Sequence, residues 1–213
     1  MTATSSRVAS RIARSAGVVA LLITAVSAAV SGCQSQASNA GNAQRHPADA
    51  VPRVQALSPR PAPAGWHNAT LADGTGVLAY PPGMRLVGSD RGAVSAARFS
   101  ASGAYLLYLN ATPRQGGESL RDWAEFRVEH LTDDEAASAR LLAESHGVHF
   151  VGGIGTCVID AYVTKVKSHH FTELACFVTS PTSASVIVAA APTANWVKAA
   201  PVLKRAVAAY EIR

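Results

Sequence analysis

Two alternating runs, Thr156–Thr164 (TCVIDAYVT) and Phe171–Thr179 (FTELACFVT), each carry one cysteine, and together they constrain the fold most tightly. Alternation with a period of two is the pattern of half-buried strands. An antiparallel register that sets Cys157 against Cys176 also sets Ile159 against Leu174, Ala161 against Thr172 and Val163 against His170. It leaves Lys165–Ser168 for the turn. A disulfide across this hairpin closes a loop worth about 3 kcal/mol in the chain-entropy model. A redox-active or metal-binding pair is the alternative. The chain has no Cys-x-x-Cys, and its histidines are not spaced to complete a zinc site.

The same register places Asp160 directly opposite Glu173, and like charges across a strand pair are destabilising. Either the register slips, or a cation lies between the two, or they accept donors from elsewhere. Arg127, on a helical segment, is the candidate partner. Asp160, Glu173 and Arg127 therefore form the candidate polar cluster, as a structural ion-pair network or as an acid/base or cation site. His169 and His170 invite a metal reading, but neighbours on a strand point to opposite faces, so a solvated hairpin turn is expected. Gly152-Gly-Ile-Gly155 has the composition of a phosphate loop without its Lys-Ser/Thr, and reads as a strand connection. No nucleophile elbow, His-Glu-x-x-His or dinucleotide fingerprint is present, so no catalytic residue, metal or cofactor is assigned.

Further strands are expected over Trp66–Leu71 and Gly76–Tyr80 around Asp73-Gly74, and over Ala93–Ser100 and Ala104–Ala111 around Ser102-Gly103. Ser119 can cap a helix carrying Leu120, Trp123, Ala124 and Leu131. Thr132-Asp-Asp-Glu135 reads as a capping box opening a second helix through Leu142 and Ala143, with Gly147 at its end and His146 and His149 flanking it. Ser183–Ala191 is a strand whose unbroken apolar run suits cover on both faces. Thr193 caps a last helix bearing Trp196, Leu203, Val207 and Tyr210, in which Pro201 should kink or break the path. The aromatic residues Trp66, Tyr80, Tyr105, Tyr108, Trp123, Tyr162 and Trp196 suit core positions, or a ligand pocket. The fold class is α+β, an antiparallel sheet flanked by helices.

The N-terminus reads as an address. Arg7, Arg11 and Arg14 precede an apolar run over 16–30, about 15 residues, shorter than the ~20 of a spanning helix. Val30-Ser-Gly-Cys33 then looks like a bacterial lipobox, with Cys33 as the lipidation site after removal of 1–32. Lipidation of Cys33 leaves Cys157 and Cys176 as a pair in an oxidising compartment. Residues 33–64 hold Pro47, Pro52, Pro59, Pro61 and Pro63 and read as a disordered tether, leaving 65–213 as a single domain. The formal charge of +5 lies wholly before residue 65, and the domain is balanced, so no nucleic-acid partner is expected.

The Trp66 strand, Tyr80-Pro-Pro-Gly83, paired strands, a central helical segment, a long hairpin and a final helix with Trp196 and Tyr210 resemble the Mog1/PsbP-like fold. That fold occurs in actinobacterial lipoproteins of the LpqN type. The resemblance implies a non-catalytic binding or accessory module of the cell envelope. It would be held on the outer face of the membrane by its lipid, with a small molecule or an envelope protein as partner. An envelope enzyme using Asp160 and Glu173, or a purely structural envelope protein, are the alternatives.

Overall fold

A computed structural model describes residues 51–55, 57–90 and 92–213; the expected signal segment and the expected lipidation of Cys33 lie outside the described residues. The cysteine hairpin is the spine of the larger sheet. Strands β7 (Gly153–Thr164) and β8 (His170–Thr179) pair in the register read from the sequence, from Cys157 opposite Cys176 to Val163 opposite His170. The two cysteines form the disulfide, and Lys167 and Ser168 turn the chain with φ of 61° and 49°.

Chain order gives β1 (His67–Thr70), β2 (Gly76–Tyr80), β3 (Arg85–Val87), β4 (Val94–Phe99) and β5 (Tyr105–Pro113), then α1 (Trp123–His130) and β6 (Ala136–Phe150). After the hairpin come β9 (Ala184–Pro192), α2 (Trp196–Ala208) and β10 (Glu211–Ile212). Seven strands make one antiparallel sheet in the order β3-β4-β5-β9-β8-β7-β6, and β1-β2-β10 make a second. The fold is α+β, antiparallel sheets with two helices.

Strand alternation divides the large sheet into two unlike faces. Leu107, Leu109, Leu174, Cys176, Ile187 and Ala189 point to the face where Leu203, Ala206 and Val207 of α2 and Leu78 and Ile212 of the small sheet pack. Val158, Ala175, Phe177, Val186 and Val188 point to the other face, under Trp123 of α1. Cover on both sides explains the unbroken apolar run of β9. The disulfide belongs to the α2 face. Replacing both Cys157 and Cys176 by alanine should lower stability by about 2–4 kcal/mol, measured as the shift in a urea unfolding curve.

Several expectations are corrected. The second helix does not exist, because Ala136–Phe150 is a strand paired along β7 through three bulges. Helix propensity differs by only a few tenths of a kcal/mol per residue, whereas the outer edge of β7 offers a full row of backbone partners. Thr132 closes α1 instead of opening a helix: its hydroxyl donates to the carbonyls of Val128 and Glu129 at 3.1 and 2.9 Å. Gly147, with φ 67°, sits at a register shift between Ser145 and Val148, and His146 and His149 lie on this strand.

Pro201 neither breaks nor ends α2. Pro201 and Val197, whose carbonyl loses its helical partner, both face solvent, so water can take the freed bond. Residues 51–63 are not a free spacer. Val54 is buried in the core, the Val54 amide bonds the Glu144 carbonyl at 3.4 Å, and the Arg60 amide bonds that of Ala208 at 2.9 Å. The prolines stiffen this stretch, and single apolar residues seat it on the domain.

Glycines 152 and 153 have a packing role. A Cβ at Gly152 would collide with the Ile212 carbonyl, and one at Gly153 with that of Thr179. The β6–β7 turn can therefore close against β10 only without side chains.

Candidate functional site

Helix α1 covers only part of its face of the sheet. Beside it lies a cavity of about 780 Å³. Its floor follows from the register. Tyr108 on β5 opposes Ala190 on β9, Ala190 opposes Glu173 on β8, and Glu173 opposes Asp160 on β7. One row thus crosses four strands, with the small Ala190 leaving a gap between Tyr108 and Glu173. Strand spacing puts those two backbones about 10 Å apart. Tyr105 and Tyr108 meet edge to face at 5.8 Å on one side of the cavity, and Tyr162 and Phe171 stack at 5.7 Å on the other. Phe126 stacks on Trp123 along α1, and Lys167 and His169 stand where the hairpin turn meets the cavity.

The approach to α1 is fixed locally. The Ser119 hydroxyl accepts the Asp122 amide at 3.0 Å, and Glu118, itself buried, accepts the amides of Gln115 and Gly116 at 3.0 and 2.7 Å. Trp123 is the anchor, its indole N–H donating to the Ala175 carbonyl at 3.1 Å. Residues four apart share a helix face, so seating Trp123 aims Arg127 at the same sheet face. There Arg127 Nε and Nη2 donate to Glu173 Oε1 at 2.7 and 2.5 Å.

The register has not slipped, and the structure brings Arg127, Asp160 and Glu173 together. Asp160 has no exposed surface, and neither of its oxygens receives a donor from a described residue. Burial, and then the Glu173 carboxylate, push its acid up to about 9, with Arg127 opposing. At neutral pH Asp160 is therefore a carboxylic acid, and its proton makes the hydrogen bond with Glu173. The cluster is one guanidinium, one carboxylate and one neutral acid, with charges that cancel.

Of the aromatic residues singled out in the sequence, Tyr105, Tyr108, Trp123 and Tyr162 line the cavity, while Trp66, Tyr80 and Trp196 pack on the α2 side. His169, just before β8, lines the cavity and His170, the first residue of β8, does not; both side chains are exposed at the hairpin end. Sequence reasoning missed Phe126, Phe171, Lys167 and Ala190. Phe126 was legible as three residues after Trp123 on the same helix, and Phe171 as two residues from Glu173. Nothing in the sequence marked Ala190. Among the described residues no group of three His, Cys, Asp or Glu is placed to hold a metal ion.

No protein-family model and no curated protein matches the chain. Solved structures do. The chain is similar to cyanobacterial PsbP (CyanoP) from Synechocystis sp. PCC 6803, at 12% identity and a TM-score of 0.49, covering 71% of this chain and 95% of that one. It is also similar to LpqN, involved in cell envelope biogenesis of Mycobacterium tuberculosis, at 13% identity and a TM-score of 0.39, covering 69% and 90%. A Pseudomonas aeruginosa protein of unknown function, PA94, aligns at 11% identity and a TM-score of 0.37, covering 67% and 94%. These are likenesses of fold.

Proposed function

We propose that the chain is a lipid-anchored, extracytoplasmic binding module whose ligand occupies the cavity between α1 and the open sheet face. The carrying observation is the cavity itself. It falls in the size range of small-molecule sites, and its lining combines aromatic side chains with polar and charged ones, Arg127, Lys167, Glu118 and Glu173 among them. Binding is favoured over catalysis by burial. Asp160 has no surface with which to meet a substrate, and Glu173 is held by Arg127. Filling the space over Ala190, itself buried, tests the reading: Ala190→Trp, with its folding checked by circular dichroism, should no longer bind. An organic extract of the native membranes should raise the thermal midpoint of the wild-type protein and leave the variant unmoved. Equal response, or none in either, contradicts it.

The anchor is proposed from the sequence at Cys33. Acyl chains contribute about 0.8 kcal/mol per buried methylene, so Cys33→Ala should release the protein from the detergent-rich to the aqueous phase on Triton X-114 partitioning. Retention in the detergent phase would contradict lipidation as the anchor.

A further inference from the structure

We infer that the ligand of this cavity is an organic anion, an apolar or aromatic body ending in one carboxylate, received by the guanidinium of Arg127. The inference rests on the binding reading above and names the class of molecule bound.

Arg127 lines the cavity while its Nε–Nη2 edge is taken up by a single oxygen of Glu173. Among the described residues no hydrogen bond is made by Nη1, and that nitrogen is not one of the buried atoms left without a partner. The guanidinium is thus clamped on one edge and presents its other edge to the cavity, the arrangement suited to a carboxylate. Three acids line the cavity, Asp90, Glu118 and Glu173, and two of them are already engaged. Glu118 is occupied by two backbone amides, and Glu173 by Arg127. Lys167 adds positive charge where the hairpin turn meets the cavity, against Asp90. Tyr108 and the Tyr162–Phe171 stack, on opposite sides of Ala190, leave a slot suited to a flat apolar body.

Asp160 completes the device. Facing it are Glu173 from β8, Arg127 from α1 and the apolar Leu141 from β6, with Tyr162 on its own strand. While Asp160 is neutral, the cluster carries no net charge, and the guanidinium can take a ligand carboxylate on the edge that Glu173 leaves open. Once ionised, the cluster beneath the cavity would carry a net negative charge and repel an anion. Affinity should therefore fall as pH rises through the titration of Asp160.

The test uses the detergent-solubilised full chain and three matched probes: 2-naphthoate, 2-naphthamide and 2-naphthylmethylamine, titrated by calorimetry at pH 7. Naphthoate should bind about ten- to a hundredfold more tightly than the amide, the worth of a hydrogen bond to a charged group, and the amine should not bind. Arg127→Lys, which keeps the charge but loses the fork, should reduce that preference for naphthoate. Asp160→Asn should retain naphthoate binding and abolish its decline at high pH. Preference for the amide or amine would overturn the anion inference and leave the binding reading standing. No binding by any probe overturns the inference, and the binding reading then stands or falls on the membrane-extract experiment. An unchanged preference in Arg127→Lys would also overturn it.

Discussion

Arg127→Met should destabilise the fold by about 3–5 kcal/mol, the usual loss when one partner of a buried ion pair is removed. Glu173→Gln should lose distinctly less. The asymmetry follows from Asp160. Without Arg127, two carboxyl groups remain side by side on an enclosed sheet face with their partner cation removed. Without the Glu173 charge, Arg127 still has an acid within its field, and Asp160 can ionise to become its counterion. Urea unfolding at pH 7 measures both. Equal losses would mean that Asp160 is not coupled to the pair.

Asp160→Asn should make the protein more stable above neutral pH and flatten its pH profile. The folded protein holds a proton on Asp160 that the unfolded chain releases at about pH 4, the ordinary aspartate range. Between there and about pH 9 the native state binds more protons than the unfolded one. Stability contributed by this group is thus greatest at low pH and falls as pH rises. An asparagine amide can donate to Glu173 without that proton, so the variant should gain on the order of a few kcal/mol at pH 8 and little at pH 4. Unfolding midpoints across that window decide it. A parallel profile for the two proteins would place the pH dependence elsewhere.

The hairpin and its polar cluster were legible because a period of two and a pair of cysteines fix register, and register dictates which residues oppose. From that one alignment, Asp160 against Glu173 followed, and so did the need for a compensating group. The β6 segment was not legible in the same way. Its Ala- and Leu-rich stretch has helical propensity, and what overrides it is the pairing edge of β7, a tertiary fact. The cavity was only half visible. Tyr105, Tyr108 and Tyr162 on strands announce an aromatic surface, but whether a helix covers it depends on how far α1 extends past Trp123. Ala190 matters for the space above it, which no local pattern records.

The claim that this fold carries a ligand in the cavity over Ala190 is tested most directly by native mass spectrometry. The full-length protein would be released from its own membranes in mild detergent, beside Ala190→Trp. A wild-type population heavier than the mature chain by one small molecule is expected, and a variant without it. The same added mass on both proteins, or none on either, would contradict it.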